Sequence, residues 1–390
     1  MAHRFEDLFA ARARDVAPAM YGPMPSNQIS FTYGFADPQL FPGEELLASA
    51  AAVMAENIDS ALNYGPTAPE LRAQVAARLR ARGVAAEERN VLITYGSNQA
   101  LGLLPQVFVE PGDVVLIEGP SFMGAVRYFS DAGARLITIP VDAEGLDVDA
   151  LEEQLRTLAQ RGVRAKFLYC IPTFQNPTGA TLSTERRRRL VGLAAEYGLP
   201  VIDDDAYGEL RFEGAPVPPL AALDEEGWVI SLGTFSKILA PGLRLGWVCA
   251  RPELIQRLEM LKVEGSSGPF LTRTVAHYSR DGRLDAHITA LNARYRHKRD
   301  LMLEAIAQHF PAGVRVRRPE GGFFVWCDLP PGLSATALLE PAAQQGVAFL
   351  PGTRCFANGQ GDSSIRLAFS YLPDALIRDG IARLGRSFEF

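Results

Sequence analysis

Between residues 90 and 250 the chain alternates short apolar segments with amphipathic segments, and this alternation constrains the fold more than any other feature. The apolar segments predict strands at residues 90–95, 114–118, 134–141, 166–171, 199–203, 228–232 and 243–250. The amphipathic segments predict helices at residues 97–109, 122–132, 148–161 and 184–197. Strands separated in this way form a mostly parallel sheet with helices on both faces. In such sheets, ligands bind where the carboxyl ends of the strands meet.

The pattern changes beyond residue 270. Residues 270–280 and 283–310 have long helical patterns, whereas residues 314–316, 322–327 and 364–369 look like strands. A single core stops growing at about 250–300 residues, and this chain has 390. We therefore expect a second, smaller α+β domain. A run of four arginines at residues 186–189 is expected to be the solvated face of its helix.

Charge and cysteine usage exclude several classes of protein. The chain has 39 Lys and Arg against 45 Asp and Glu, a net charge of −6, whereas nucleic-acid-binding proteins usually carry a basic domain. No apolar run approaches the roughly 20 residues that a membrane span needs, and the first 20 residues lack the apolar centre of a secretory signal. The four cysteines and five histidines have no metal-ligand spacing. Buried thiols in a reducing cytoplasm are the expected state of the cysteines.

One lysine has an unusual setting. Lys237 directly follows an apolar strand and lies among Thr234, Ser236 and Arg244. Hydroxyl groups and an arginine beside a lysine at a strand end suit a phosphorylated ligand, and the lysine can then act as a covalent nucleophile. An ordinary surface lysine in a polar loop is the alternative.

Three further polar motifs follow predicted strands. Gly96-Ser-Asn-Gln99 lies at a strand-to-helix junction, where free backbone N–H groups can bind an anion, although Ser97 is also a plain N-cap. Residues 172–179, Pro-Thr-Phe-Gln-Asn-Pro-Thr-Gly, form a turn motif after the strand at 166–171. Residues 203–207, Asp-Asp-Asp-Ala-Tyr, place three carboxylates at another strand end, where a solvated loop or a metal site is the alternative.

In their order along the chain, the four motifs resemble those of the class I and II aminotransferases. These are fold-type I enzymes that use pyridoxal 5′-phosphate (PLP). The branch with 2-aminoadipate-type enzymes and MocR-type regulators is the most similar, mainly through residues 172–179 and 234–244. The resemblance implies an α/β fold with a mostly parallel seven-stranded sheet flanked by helices. It also implies a large PLP-binding domain of residues 41–275 and a smaller α+β domain formed by residues 1–40 and 276–390.

The resemblance assigns the catalytic roles to residues at three strand ends. Lys237 resembles the lysine that forms the internal aldimine with PLP and moves a proton between substrate and cofactor. Asp204 resembles the aspartate that pairs with the pyridinium nitrogen, and its two aspartate neighbours are expected to point elsewhere. Tyr207 and Asn176 resemble the groups that hydrogen-bond the O3′ atom of the cofactor.

The resemblance also implies a phosphate site and an interface. The residues that match the phosphate-binding positions are Ser97, Asn98, Thr234, Ser236 and Arg244. Phe122 matches the aromatic residue that stacks on the pyridine ring, with a plain core position as the alternative. Tyr64 resembles the tyrosine that reaches the phosphate of a neighbouring subunit, which implies a homodimer with active sites at the interface.

Four residues are assigned to the substrate. Arg366 resembles the arginine that binds the substrate α-carboxylate, and the resemblance implies that Asn176 faces the substrate as well. Gly34 resembles the glycine whose backbone approaches that carboxylate. Tyr33 stands where the family usually has the first glycine of a pair, so it would narrow or re-aim the pocket.

The resemblance implies a cytoplasmic PLP-dependent aminotransferase that acts on an α-amino acid and a 2-oxo acid by a ping-pong mechanism. It predicts no metal, no nucleic acid and no membrane partner. Another PLP reaction on the same scaffold, such as β- or γ-elimination, decarboxylation or cyclisation, is the first alternative. A MocR-type PLP sensor is the second, although the PLP-type region begins by residue 30 and leaves no room for a winged-helix module. No motif identifies the substrate side chain.

Overall fold

The computed structural model describes residues 4–9, 28–263 and 265–389. Residues 10–27, which are predicted to belong to the small domain with the rest of residues 1–40, lie outside the described part. No described helix is both long and apolar enough to cross a lipid bilayer.

The described residues form strands and helices joined mostly by short loops. The strands are β1 (Ile29–Ser30), β2 (Val91–Thr94), β3 (Val114–Gly119), β4 (Arg135–Asp142), β5 (Gly145–Leu146), β6 (Leu168–Cys170), β7 (Val201–Asp204), β8 (Val229–Thr234), β9 (Gly246–Cys249), β10 (Arg315–Val316), β11 (Phe324–Asp328), β12 (Val347–Ala348), β13 (Leu350–Pro351) and β14 (Ser364–Ala368). The α-helices are α1 (Gly43–Glu56), α2 (Ile58–Leu62), α3 (Pro69–Ala81), α4 (Gly96–Phe108), α5 (Met123–Asp131), α6 (Val148–Gln160), α7 (Thr184–Tyr197), α8 (Phe235–Ile238), α9 (Pro252–Leu261), α10 (Pro269–Tyr278), α11 (Arg283–His309), α12 (Leu339–Gln344) and α13 (Asp374–Arg386).

The central sheet confirms the predicted fold class. Its strand order among the described residues is β2-β9-β8-β7-β6-β3-β4-β5. The strands β3, β4, β6, β7 and β8 are parallel, and β9 is antiparallel to both of its neighbours. The seven predicted strands are all present, and β5 adds a two-residue hairpin partner to β4.

Helices cover both faces of this sheet because the side chains of each central strand alternate between two hydrophobic clusters. Val115 and Ile117 of β3 pack with helices α4, α5 and α9 on one face. Val114 and Leu116 pack with helices α6 and α7 on the other. The sheet is therefore buried on both sides, which leaves its strand ends as the place where polar groups gather.

A second sheet is built from the C-terminal part of the chain. Its antiparallel strands have the order β10-β11-β14-β13, and β1 pairs with β12 separately. One hydrophobic cluster contains both Trp247 of the central sheet and Val325 of the second sheet. The predicted boundaries of the two domains stay a prediction.

The prediction that the whole run at residues 186–189 faces solvent is wrong for Arg187. This side chain is fully buried. Its guanidinium donates hydrogen bonds to the carbonyl oxygens of Leu182 (2.8 Å) and Pro172 (2.7 Å) and to the hydroxyl of Thr173 (2.9 Å). Arg187 thus supports the loop that follows β6, whereas Arg188 on the same helix is exposed.

Candidate active site

A cavity of about 950 Å³ lies at the carboxyl ends of the central strands. Of the residues predicted for the site, those that line this cavity are Tyr33, Gly34, Ser97, Asn98, Phe122, Asn176, Asp204, Tyr207, Thr234, Ser236, Lys237, Arg244 and Arg366. Tyr64 does not line it, and its side chain is fully exposed.

Lys237 projects into the cavity from the short helix α8, directly after β8. Its Nζ atom donates a hydrogen bond to the carbonyl oxygen of Gly34 at 2.9 Å. Burial and the positive charges of Arg366 and Arg244 lower the pKa of Lys237 to about 8. A substantial fraction of the amine is therefore neutral near pH 8 and able to act as a nucleophile.

Asp204 is the last residue of β7, and its two carboxylate oxygens differ in their contacts. Oδ2 accepts a hydrogen bond from the hydroxyl of Tyr169 at 2.6 Å. Oδ1 is buried and has no hydrogen-bond partner among the described residues. Burial raises the pKa of Asp204 to about 6, although the bond from Tyr169 favours the charged form. The open oxygen on the cavity wall fits a ligand that presents a cationic N–H group.

An anion cradle forms where helix α4 begins. The N-terminal turn of this helix, with Ser97 and Asn98, has backbone N–H groups without intrahelical acceptors. Gly96 has a φ of +68°, and a Cβ atom there would lie 2.8 Å from Nη2 of Arg244. The guanidinium therefore packs against the start of the helix. Thr234 and Ser236 line the same cavity, so the donors suit a phosphate group.

Arg366 extends into the cavity from β14 in the second sheet. Its guanidinium donates to Oδ1 of Asn176 at 2.8 Å and to the carbonyl oxygen of Thr32 at 2.5 Å. It lies 4.2 Å above the ring centroid of Phe324. The same ring packs on Gly34, where a Cβ atom would lie 2.5 Å from Cζ of Phe324. A side chain at position 34 would thus displace the ring that supports the arginine.

A buried network holds the loop that carries Asn176. Oε2 of Glu118, at the end of β3, accepts hydrogen bonds from the backbone N–H of Ile171 and from Nε2 of Gln175, both at 3.0 Å. Oε1 of Gln175 accepts hydrogen bonds from the backbone and hydroxyl of Thr178 at 2.9 and 2.8 Å. Burial raises the pKa of Glu118 to about 8.

Aromatic side chains line the part of the cavity next to Gly34. Tyr33 and Phe35 both line the cavity and stack with a centroid distance of 5.1 Å. Phe35 meets Tyr371 edge-on at 5.8 Å. The cavity therefore has an aromatic surface next to Gly34, where a glycine pair would leave open space.

Several residues that contact the predicted site residues are not among those predicted. Tyr169 carries a detectable signal, since its hydroxyl stands in an otherwise apolar strand and needs a partner. Gln175 lies within the motif of residues 172–179 and Glu118 ends the predicted strand at residues 114–118, but neither pattern indicates a role in the site. Phe324 and Arg354 of the cavity wall carry no local signal.

Comparison with known proteins places this geometry in a family. The model of the family "aminotransferase class I and II" matches residues 37–384. The aromatic-amino-acid aminotransferase 1 of Thermococcus litoralis is 41% identical over 93% of this chain and 88% of its own. The 2-aminoadipate transaminase of Thermus thermophilus is 43% identical over 93% of this chain and 90% of its own.

Similarity in three dimensions extends over almost the whole chain. The crystal structure of the multiple substrate aminotransferase from Thermococcus profundus has a TM-score of 0.94 and 37% identity, covering 99% of this chain and 98% of that chain. The HTH-type transcriptional regulator YdcR of Escherichia coli is 32% identical over 85% of this chain and 70% of its own. Because the family model matches residues 37–384 and these relatives align over most of the chain, the chain belongs to the class I and II aminotransferases.

Proposed function

We propose that the chain is a PLP-dependent aminotransferase that moves an amino group between an α-amino acid and a 2-oxo acid by a ping-pong mechanism. The observation that carries this proposal is a single cavity lined by a lysine of lowered pKa, by a buried aspartate with an unpartnered oxygen and by the residues of the anion cradle. PLP, when bound, supplies an aldehyde that takes up amino groups and a ring that withdraws electrons from the substrate Cα.

The cofactor contacts follow from the side chains around the cavity. Oδ1 of Asp204 would accept the pyridinium N–H, which satisfies its unused hydrogen-bonding capacity. Tyr207 and Asn176 would hydrogen-bond O3′, and Phe122 would pack on the ring. The groups that would bind the phosphate are Ser97, Asn98, Thr234, Ser236 and Arg244.

The remaining groups act on the substrate. Arg366 would bind the α-carboxylate with its planar guanidinium, held in orientation by Asn176 and by the ring beneath it. The amine of Lys237 would remove a proton from the substrate Cα and return one, because burial keeps part of it neutral near pH 8. Gly34 lets the backbone approach the carboxylate, and Tyr33 would limit the space for the side chain.

A half-reaction screen tests the reaction type. Purified holoenzyme is mixed with single amino acids, and the cofactor spectrum and the released 2-oxo acid are followed. Stoichiometric 2-oxo acid followed by a new amino acid on addition of a second 2-oxo acid is the expected result. Release of CO₂, or of pyruvate with ammonia, from one substrate without any new amino acid would contradict amino-group transfer.

The assignment of Lys237 has a direct test. Borohydride reduction followed by peptide mass analysis should place the cofactor mass on Lys237. Lys237→Ala should lose this attachment. Its turnover should fall by about 10²–10⁴-fold, which is the usual contribution of a general acid–base group. Lys166→Ala is the control, since Lys166 is a surface lysine paired with Asp113 at 3.2 Å. Wild-type turnover in Lys237→Ala would refute the assignment.

We also infer a homodimer. Leu47 of α1 and Ile58 and Leu62 of α2 are large apolar side chains that are mostly exposed, and the exposed Tyr64 follows them directly. Such a surface on consecutive helices is suited to a second copy of the chain. Tyr64 would then reach the anion cradle of the partner.

A cytoplasmic location fits the cysteines. All four are free and buried. Burial raises the pKa of the Cys355 thiol to about 11, and that of Cys249 to about 12, so these thiols stay protonated and unreactive. Free thiols of this kind are typical of a reducing compartment.

A further inference from the structure

The cavity contains one positive charge more than the proposed chemistry uses. Its charged lining residues, within the described part of the chain, are Asp204, Lys237, Arg244, Arg354 and Arg366. The first three are assigned to the cofactor, and Arg366 is assigned to the substrate α-carboxylate. Arg354 is left without an anion.

The protein supplies no anion for Arg354 from its described residues. No described carboxylate forms an ion pair with its guanidinium, and no described oxygen accepts a hydrogen bond from it. Its neighbours on the cavity wall include the apolar side chains of Leu350 and Met123. An exposed guanidinium at a cavity wall is available to a ligand and offers the planar donor pair that carboxylates match.

The backbone that carries Arg354 is fixed on both sides. Arg354 belongs to a tight turn, Gly352–Cys355, that directly follows β13. The last carbonyl oxygen of this turn accepts a hydrogen bond from the backbone N–H of Ser121 at 2.7 Å. Leu350 of β13 lies opposite Arg366 in the sheet register. The side chain of Arg354 therefore starts between the strand of Arg366 and the loop that carries the ring-stacking Phe122.

The two arginines share one electrostatic environment. Burial raises the pKa of the Cys355 thiol, and the charges of Arg366 and Arg354 both oppose that rise. Two guanidinium groups that act on the same buried atom repel each other in a partly desolvated cavity. A ligand with two carboxylates, one for each arginine, removes this repulsion and satisfies both sets of donors.

We propose that Arg354 binds the distal carboxylate of a dicarboxylic substrate, so that the chain prefers amino acids and 2-oxo acids with an acidic side chain. This assignment rests on the aminotransferase activity proposed above and adds the substrate class of the same cavity. Arg354 acts here as a specificity-determining residue that touches the substrate and takes no part in proton transfer.

The kinetic test compares glutamate with norvaline, which has a methyl group where glutamate has its distal carboxylate. The measured quantity is the ratio of kcat/KM for the two amino donors in the half-reaction of the holoenzyme. We expect a ratio well above one in the wild type and a loss of about ten-fold or more in Arg354→Gln, since the variant loses a charge-assisted hydrogen bond. Arg188→Gln, a change at an exposed arginine on α7, is the matched control and should keep the wild-type ratio.

A binding test separates this proposal from the proposed function. Calorimetry measures the Kd of glutarate and of pentanoate for the holoenzyme, and no turnover is needed. Glutarate should bind more tightly than pentanoate. In Arg354→Gln, the ratio of the pentanoate Kd to the glutarate Kd should be about ten-fold lower than in the wild type. An equal melting temperature in the two arginine variants confirms that both are folded.

The outcomes are distinct. A wild-type preference for norvaline, or a ratio and a glutarate affinity within two-fold of wild type in Arg354→Gln, would overturn the role of Arg354 and leave the aminotransferase activity standing. A holoenzyme that transfers no amino group would contradict the proposed function, and the calorimetry would still decide whether Arg354 binds a distal carboxylate.

Discussion

Three consecutive aspartates at the end of β7 have three different surroundings. Asp204 faces the cavity. Asp205 pairs with Arg82 at 2.6 Å. Asp203 is buried away from the cavity, and burial together with the charge of Asp205 raises its pKa, against the charge of Arg187. The side chains of adjacent strand residues point to opposite faces, which is why only one of the three carboxylates lines the cavity.

The pKa of Lys237 yields a prediction about pH. Covalent uptake of PLP by cofactor-free protein requires the neutral amine, so its rate should rise with pH with a midpoint near 8 instead of 10.5. The charge of Arg366 contributes to the lowered pKa, and Arg366→Gln should therefore move the midpoint to higher pH. Stopped-flow absorbance measures both midpoints. A range of roughly pH 6–11 includes both the lowered pKa of Lys237 and the ordinary pKa of a lysine.

The control for this prediction is Arg188→Gln, which removes a positive charge outside the cavity and should leave the midpoint unchanged. A wild-type midpoint near the ordinary lysine value would mean that the amine is hydrated and that burial does not activate it. A midpoint that falls in Arg366→Gln would contradict the sign of the electrostatic argument.

At the residue scale, the sequence motifs predicted the residues of the cavity wall that follow the central strands. The setting of Lys237 after an apolar segment singles it out, whereas the choice of Asp204 among three consecutive aspartates comes from the resemblance to the aminotransferase motif. The contact of Tyr169 with Asp204 was not predicted, because it depends on the register of β6 against β7. Phe324 lies in a different sheet, and no local pattern links its ring to Gly34.

At the scale of elements, the loop of residues 172–179 depends on groups beneath it. Gln175 connects the loop to Glu118 of β3. The side chain of Arg187 connects the loop to helix α7. Periodicity predicted β6 and α7 well, since their apolar side chains repeat regularly. Periodicity failed for Arg187, because a charged residue is buried there only to satisfy carbonyl oxygens of the adjoining loop.

Arg187→Met should destabilise the protein and weaken the site. The change leaves the buried acceptors of Leu182, Pro172 and Thr173 without donors, and each unsatisfied group costs about 1–3 kcal/mol. We expect a loss of about 3 kcal/mol in the free energy of unfolding and a lower kcat/KM, because the loop of Asn176 loses its support. Thermal unfolding and steady-state kinetics measure the two effects.

The neighbouring exposed arginine provides the matched comparison. Arg188→Met removes the same charge from the same helix and should change the free energy of unfolding by no more than about 0.5 kcal/mol. Equal melting temperatures for the two variants would show that the hydrogen bonds of Arg187 contribute little.

At the scale of the whole molecule, the cavity wall that carries Tyr33 and Gly34 is held in place by contacts between distant parts of the described chain. The hydroxyl of Ser370 donates to the carbonyl oxygen of Phe35 at 2.6 Å. Asp37 forms a buried ion pair with Lys298 at 2.5 Å. These contacts hold the segment that presents Tyr33 and Gly34 to Lys237. Local sequence patterns could not predict them, because the partners are separated by most of the chain.

The proposed dimer makes a prediction about the assembly as a whole. Leu47 and Leu62 are exposed on consecutive helices, and charges at both positions should prevent a second copy from binding there. The double variant Leu47→Asp/Leu62→Asp should have half the mass of the wild type in light scattering and should lose activity, because Tyr64 no longer reaches a partner site. Leu376→Asp, at an exposed leucine of α13, is the control and should stay dimeric.

Tyr64→Phe separates assembly from cofactor binding. The variant keeps the aromatic ring at the interface but loses the hydroxyl, so it should remain dimeric while its Kd for PLP rises about ten-fold, as expected for one hydrogen bond to a charged group. Fluorescence titration of cofactor-free protein measures this Kd. In a single chain the side chain of Tyr64 is fully exposed. A monomeric protein should therefore not lose PLP affinity in this variant. A wild-type protein that is monomeric and active, or a Tyr64→Phe variant with unchanged PLP affinity, would contradict a phosphate site shared between two subunits.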